Sequence, residues 1–170
     1  MEDSGTKTLR LANRAMTQAE AEDILKTVKV GRLGMSRNGR PYVVPLYFAY
    51  DKRHIYFHCA DTGLKIKFLH SNPSVCFEVD EHIATLTAPM ACNCDAAYRS
   101  VIVFGTARIL TNLEEKVDAM RLITAKYIGG DKTTTIRSEL VDKYRSPHGS
   151  KTVVVDIEIE QMTGKNNDAV

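Results

Sequence analysis

The sequence lacks the features that would assign it to a membrane or to a nucleic acid. No apolar run approaches the roughly 20 residues needed to cross a bilayer. The polar start of the chain, MEDSGTKTLRLANRAM, has no apolar core of the signal-peptide type. The formal net charge is only +2, and the basic residues are spread along the chain, whereas a nucleic-acid site usually gathers them. We therefore expect a cytoplasmic protein with neither a membrane nor a nucleic acid as its partner.

Motifs of hydrolases, phosphate-binding loops and metalloproteases are also missing. The five histidines have no metal-type spacing with carboxylates. Cys92 and Cys94 form a CNC sequence, but the second pair of ligands that a structural zinc site requires is not present. We expect no metal site. If the protein has an enzymatic activity, an organic cofactor is expected to carry the chemistry.

What is present suits one globular domain. The chain has 170 residues, of which 44% are hydrophobic and 26% are charged, and this length can bury a substantial core. We expect a flexible N-terminal arm over residues 1–15, a single domain over residues 16–165, and a polar tail over residues 166–170.

Apolar periodicity predicts mostly strands, with helices beside them. Thr17 followed by Glu20 forms a capping box, and Asn38-Gly39 is the strongest short signal for a tight hairpin. Gly105, inside a long strand pattern, indicates a bulge or a barrel corner. The predicted helices are Thr17–Val30, Leu64–His70, Asn112–Gly129 and Thr134–Tyr144; the predicted strands are Arg32–Arg37, Arg40–Tyr50, His54–Ala60, Ser74–Asp80, Tyr98–Leu110 and Thr152–Glu160, with Glu81–Ala97 a loop that contains a short strand at Ala84–Thr87.

The most informative stretch is RPYVVPLYFAYDKRHIYFHCADTGLKIKFLHSNP, residues 40–73. Its first strand is apolar on both faces, so the outer face of a barrel built from it needs a subunit or a ligand to cover it. Pro45 marks either a bulge that frees backbone groups or an edge strand with no special role. Lys65 stands in the first turn of the following helix, where it is either a ligand for an anion or an ordinary solvated lysine.

This stretch, with YRSVIVFGTARIL and IEIEQMTGK further on, resembles the flavin-binding split barrel of the pyridoxamine 5′-phosphate oxidase-like superfamily. It is more similar to the nitroimidazole-reductase-like branch of that superfamily. The resemblance implies a mainly β protein with flanking helices, built as a six-stranded antiparallel split β-barrel. It also implies a homodimer with two FMN sites at the subunit interface.

The resemblance further implies roles for individual residues. One strand would lie along the isoalloxazine ring, the return strand would line the site, and the next helix start would hold the phosphate. Leu64 stands where the family usually has a second basic residue, so Lys67 would have to assist. The implied cofactor-binding residues are Val43, Val44, Pro45 and Leu46 for the ring, His58 and Cys59 for the return strand, Thr62, Gly63 and Lys65 for the phosphate, and Arg99 and Ser100 reached from the partner subunit.

One departure from the family bears on the reaction. True pyridoxamine 5′-phosphate oxidases carry a C-terminal arginine and histidine segment for their substrate, whereas this chain ends in MTGKNNDAV. We therefore expect an FMN-dependent oxidoreductase of the nitroreductase type, with NAD(P)H as a candidate electron donor and a small organic acceptor. The alternatives are a non-catalytic flavin or haem binder, with His58 or His70 as the iron ligand, and a bare dimerisation or nucleic-acid module.

Overall fold

A computed structural model of the chain describes residues 9–129 and 136–168. Strands dominate these residues, and helices lie beside them, as the apolar periodicity predicts. The elements are α1 (Gln18–Thr27), β1 (Val30–Arg37), β2 (Arg40–Tyr47), β3 (Ala49–Asp51), β4 (His54–Ala60), α2 (Leu64–Ser71), β5 (Ser74–Leu86), β6 (Asp95–Ile109), α3 (Leu113–Ile128), α4 (Ser138–Val141) and β7 (Thr152–Asn167), with short 3-10 turns at Ala12–Arg14 and Ala91–Asn93.

The strands form one antiparallel sheet in the order β2-β1-β5-β6-β7-β4-β3. Only Phe48 separates β2 from β3 in the chain, so the two ends of the sheet meet there and the sheet closes on itself. Counted as one interrupted strand, β2 and β3 bring the total in the described residues to the six strands of the predicted split barrel. The predicted fold is confirmed.

The barrel is open between β2 and β4. β2 pairs with β1 up to Tyr47, while β3 pairs with β4 only between Ala49 and Asp51. Beyond Tyr56, β4 pairs only with β7 among the described residues. We call the gap between the free edges of β2 and β4 the split, and Phe48 its apex. Pro45 lies in an unbroken ladder with Arg32 on this edge strand, so its position at an edge is confirmed and the bulge alternative is wrong.

Large apolar side chains fill the barrel, and α1, α2 and α3 pack against it. Phe48, Phe57 and Phe77 are fully buried inside. Helix α2 follows β4 and packs its Phe68 against Tyr42 of β2, with ring centroids 5.2 Å apart. Helix α3 lies on the outer wall beside β3, β4 and β7. None of the described helices is both long and apolar enough to cross a membrane.

Two local predictions about turns and caps are confirmed. Asn38 and Gly39 have φ of 49° and 76°, the two positive values that a type I′ turn needs. Thr17 accepts from the Glu20 N–H in a complete capping box. These features depend only on neighbours in the sequence, which is why local patterns identify them.

The bounds of three predicted segments differ most from those in the structure. β5 and β6 form a long hairpin through most of the predicted loop at Glu81–Ala97. β7 runs past Glu160 to Asn167, and its pairing with β6 continues on both sides of a register shift between Phe104 and Gly105. In the predicted helix Thr134–Tyr144 only Ser138–Val141 is helical, and residues 130–135 lie outside the described residues.

The N-terminal segment is partly docked on the barrel. Residues 1–8 of the predicted arm lie outside the described residues. Ala15 pairs with Lys165, and the Met16 N–H donates to the Gly164 carbonyl at 3.0 Å. Gly164 suits this close approach, since a Cβ there would lie 2.9 Å from the Met16 Cβ.

Candidate functional site

The two free edges of the split carry the first group of predicted site residues. On β2, Val44 and Leu46 point inward and pack against the core, whereas Val43 and Pro45 point outward and are exposed. Val43 retains 60% of its accessible surface. The split therefore has a mostly apolar edge on one side, with backbone groups that no other described strand pairs.

On β4, His58 and Cys59 alternate between the two faces of the strand. His58 is exposed on the outer face, while Cys59 is half-buried and packs against the core. Although the imidazole is open to solvent on one side, desolvation by the atoms around it lowers the pKa of His58, and the charge of Lys65 lowers it further. Burial raises the pKa of the Cys59 thiol, and the charge of Lys65 and a hydrogen bond from it offset part of that effect. Both shifts favour neutral side chains, so the positive charge at this edge belongs to Lys65.

The start of α2 is an open helix terminus beside that edge. The Asp61 N–H donates to the Lys151 carbonyl at 2.9 Å, and the chain then turns at Gly63, whose φ of 107° suits glycine. No side chain caps the helix at this end. A Cβ at Gly63 would meet no atom within 4 Å. The N–H groups of the first turn are thus accessible to an acceptor outside the helix.

Lys65 adds a positive charge to this terminus. Its ammonium lies 5.3 Å from the centroid of the Phe57 ring and within hydrogen-bonding reach of Cys59. In the described ranges, no carboxylate lies within 4.0 Å of the Lys65 Nζ. A lysine here opposes the helix dipole, and an anion bound at the terminus would reverse that penalty. Thr62 and Gly63 are exposed next to it.

Asp61 is a residue that sequence reasoning did not select. Its Oδ1 is buried and has no hydrogen-bond partner among the described residues. A buried carboxylate oxygen normally has a partner, so this atom suits a donor from outside the chain. The sequence offered little signal, because Asp61-Thr62-Gly63 is an ordinary cap-and-turn combination.

Arg99 and Ser100 do not join this site within one chain. Arg99 pairs with Asn166 on β7, whereas His58 pairs with Val154 on the same strand. The stretch of β7 from Val154 to Asn166 spans about 40 Å if extended at about 3.3 Å per residue. Arg99 lies instead beside α1, near Glu20. Only a second chain could bring it to Lys65.

The outer wall of β2, β1, β5 and β6 carries an apolar groove. Val43, Gly34, Cys76 and Phe104 lie side by side in register across the four strands, and they line a cavity of about 360 Å³. The groove follows from Gly34, because the absence of a side chain there leaves a depression between its neighbours. Exposed Tyr47 and Ile102 are outward-facing on the same strands.

The remaining candidate residues form no further site with these. His70 is exposed at the other end of α2 and lines a separate depression with Pro73 and Arg108. Cys92 and Cys94 are exposed free thiols. Within the described parts of the chain, no group of three or more His, Cys, Asp or Glu side chains is arranged to hold a metal ion.

Known proteins with similar folds come from several bacteria. A FAD-binding protein from Mesorhizobium loti is 27% identical, with a TM-score of 0.66 over 91% of this chain and 98% of that one. A candidate 5-nitroimidazole antibiotic resistance protein from Bacteroides thetaiotaomicron is 24% identical, with a TM-score of 0.73 over 89% and 85%. A flavocytochrome from Azotobacter vinelandii is 22% identical, with a TM-score of 0.77 over 95% and 73%.

Sequence comparison agrees with the structural likeness. The uncharacterized protein RA0666 of Rhizobium meliloti (strain 1021) is 25% identical over 117 residues, which cover 66% of this chain and 70% of the relative. The family model described as pyridoxamine 5′-phosphate oxidase matches residues 17–166. That match runs from the N-cap of α1 to the penultimate residue of β7. Because it includes every strand of the barrel, the chain belongs to the pyridoxamine 5′-phosphate oxidase family.

Proposed function

We propose that the protein binds a flavin, FMN, in the split and acts as a flavin-dependent oxidoreductase. The observation that carries the proposal is the Lys65 ammonium. It has no carboxylate partner in the described part of the chain, and it stands at an uncapped helix start. Such a terminus favours a phosphate. The adjoining free edges supply the flat apolar surface that a tricyclic ring needs.

Each part of the site has a role in this proposal. Thr62, Gly63 and Lys65 hold the phosphate, and the exposed Lys67, two residues further along α2, assists in place of a basic residue at Leu64. The buried Asp61 Oδ1 accepts a hydrogen bond from a hydroxyl of the sugar-alcohol chain. The ring lies against Val43, Val44, Pro45 and Leu46, with unpaired backbone groups of β2 facing its polar edge, and with His58 and Cys59 on the opposite edge.

The flavin would supply the redox chemistry, namely acceptance of a hydride and delivery of electrons to a second substrate. NAD(P)H is the proposed donor, and a small nitroaromatic or quinone is the proposed acceptor class. The protein's own contribution is binding, orientation and charge. His58 and Cys59 are held in their neutral forms, so Lys65 would supply the positive charge that faces the phosphate.

We further propose that the bound flavin is FMN and not FAD. The open terminus of α2 suits a terminal phosphate, whereas FAD would have to extend its adenylate past Gly63 into open space. The similar protein from Mesorhizobium loti is described as FAD-binding, so the distinction needs a measurement. Mass analysis of the flavin released by denaturation decides between the two.

A homodimer completes the proposed site. The uncovered outer wall of β2, β1, β5 and β6 offers an apolar surface for a second copy, and Arg99 and Ser100 stand too far from Lys65 to act within one chain. We propose that the partner copy provides these two residues. Two sites per dimer follow from the twofold symmetry of such an interface.

A non-catalytic flavin or haem binder is the second candidate. The observation that favours it is His58, whose lowered pKa keeps the imidazole neutral and able to ligate iron. The absorption spectrum of the purified protein separates the candidates. Bound flavin bleached by NAD(P)H supports the oxidoreductase, and flavin that no nicotinamide cofactor reduces supports a storage or sensing role. An intense haem band supports iron ligation, while a colourless protein that takes up neither group contradicts both proposals.

A further inference from the structure

At the apex of the split, the backbone N–H and C=O of Phe48 are not paired by the strands. Phe48 lies between the last pair of β2 with β1, at Tyr47, and the first pair of β3 with β4, at Ala49. Its N–H and C=O therefore belong to neither ladder. Phe48 is fully buried, and buried backbone groups without partners are costly.

One side chain from α3 reaches both groups, and its single hydroxyl proton is shared between the carbonyl oxygens of Phe48 and Lys29. The Tyr127 hydroxyl accepts a hydrogen bond from the Phe48 N–H at 2.9 Å and lies 3.0 Å from the Phe48 carbonyl oxygen. The same hydroxyl lies 2.5 Å from the carbonyl oxygen of Lys29, between α1 and β1. The Tyr127 ring packs on Tyr47 with centroids 4.7 Å apart. A single residue thus holds the chain where β2 departs from β3.

The neighbouring lysine holds the side chain of Phe48. The Lys126 Nζ lies 3.5 Å from the centroid of the Phe48 ring and donates to the Leu25 carbonyl at 2.9 Å. Burial lowers the pKa of Lys126 to about 8, while the ring face and the carbonyl both favour the ammonium form. The Phe48 ring also packs edge-on against the Phe77 ring, with the two centroids 4.9 Å apart, and this contact further restricts its orientation.

The contacts of Tyr127 and Lys126 with Phe48 lie where the two edges of the candidate site begin. On β2, the free edge with Val43–Leu46 lies immediately before Tyr47 in the chain. On β4, the free edge with His58 begins after Tyr56, which is the last residue that pairs with β3. Both edges diverge from Phe48. The direction of the backbone at that residue therefore sets the distance between the two edges along the split.

We infer that Tyr127 and Lys126 form an apex latch that positions the two edges of the split for the flavin. They are positioning residues, since they act through Phe48 rather than by touching the cofactor. The inference rests on the proposed function, because it assigns to the split the flavin proposed above.

The test combines two measurements on full-length variants. Tyr127→Phe removes the hydroxyl and keeps the ring, and Lys126→Met removes the charge at similar length, with Lys126→Arg as the conservative variant. Tyr144→Phe is the control, because Tyr144 is an exposed tyrosine. Amide hydrogen exchange at Phe48 reports on the latch itself, and titration with FMN reports on the positioning.

The expected result for Tyr127→Phe is an increase of about tenfold in Phe48 amide exchange and a loss of about tenfold in FMN affinity. Lys126→Met should weaken FMN binding, Lys126→Arg should restore most of it, and Tyr144→Phe should change neither quantity. Unchanged exchange in Tyr127→Phe overturns the latch. Faster exchange with unchanged FMN affinity overturns the positioning role and leaves a merely structural contact. A wild-type protein that binds no flavin but shows Tyr127-dependent exchange contradicts the proposed function and the positioning role together.

Discussion

At the scale of single residues, the position of a charge matters more than its presence. Arg32 has two carboxylate partners, Glu78 and Asp80, and Arg108 is held by Glu115 and by the fully buried Asp156. The charges of these two arginines are compensated by ion pairs within the fold. Lys65 has no such partner in the described part of the chain, and its location at a helix start adds to the positive potential there.

Replacing Lys65 tests this assignment. Lys65→Ala should weaken FMN binding at least tenfold, which corresponds to about 1.4 kcal/mol, because the phosphate loses its nearest full charge. Fluorescence titration of the apoprotein with FMN measures the effect. Lys26→Ala is the matched control, since Lys26 is an exposed helix lysine in α1. Equal affinities for wild type and Lys65→Ala would place the phosphate elsewhere.

Lys126 gives a prediction for pH dependence. Its pKa falls from 10.5 in the unfolded chain to about 8 in the folded protein, because of burial. Below about pH 8 both states carry the charge, and the cost of burying it is fully present. Between about pH 8 and 10.5 the folded state releases the proton first, so that cost disappears as the pH rises.

Lys126→Met has no such titration. The free energy of unfolding of the variant minus that of wild type should therefore decrease from pH 7.5 to pH 9.5, as followed by urea denaturation in a series of buffers. Taking the difference removes contributions from the other lysines and tyrosines. A difference that stays constant with pH would show that the ring of Phe48 and the Leu25 carbonyl keep the ammonium charged throughout this range.

At the scale of elements, α2 and the two edges act as one unit. The helix begins immediately after β4, so the short link at residues 61–63 sets the position of its N-terminus relative to His58 and Cys59. Phe68 fastens the helix to Tyr42 of β2. A phosphate bound at the helix start would consequently be held at a constant distance from a ring lying along the split.

The exposed Leu64 offers a gain-of-function test of this unit. Leu64→Lys adds a second positive charge to the first turn and should tighten FMN binding several-fold, by roughly 0.5–1 kcal/mol for an exposed charge. The gain should shrink at high salt, because exposed charges are screened. Titrations at two ionic strengths measure both effects, with Leu64→Gln as the uncharged control. A gain that does not depend on salt would point to packing instead of charge.

At the scale of the whole molecule, one side of the barrel is covered and the other is open. Helix α3 covers the outer wall near β4 and β7, where Val154 and Asp156 are completely buried. The wall of β2, β1, β5 and β6 has no described helix packed over Val43, which remains 60% exposed. An exposed apolar wall of this kind is typical of a protein–protein interface.

Mixed dimers test whether the partner supplies Arg99. Lys65→Ala and Arg99→Ala should each weaken FMN binding at least tenfold as homodimers, so neither homodimer retains FMN at a concentration that saturates the wild type. A heterodimer of the two variants contains one site with both substitutions and one with neither, so it should recover about one FMN per dimer. Co-expression with two affinity tags isolates the heterodimer, and flavin absorbance gives the stoichiometry. If Arg99 acts within its own chain, both sites of the heterodimer carry a substitution and neither is recovered. If Arg99 has no role, the Arg99→Ala homodimer will bind FMN as the wild type does.

Much of the fold follows from local sequence. Alternating apolar residues mark the barrel strands, Asn38-Gly39 specifies the first hairpin, and Thr17 and Asn112 cap α1 and α3 as expected. Lys65 could also be selected from sequence, since a cation in the first turn of a helix contradicts the dipole rule. These features depend on residues a few positions apart, so the sequence by itself determines them.

The remaining features of the fold and of the site depend on pairing between strands that are distant in the sequence. No local pattern shows that the sheet closes at Phe48, or that the Tyr127 hydroxyl, 79 residues away, accepts from the N–H of that residue. None shows that β7 continues to Asn167 past the register shift at Gly105. Arg99 and Lys65 both occur in family-like motifs, yet β7 keeps them apart within one chain. The physical reason is that pairing between distant strands sets which side chains meet, and only the closed barrel fixes that pairing.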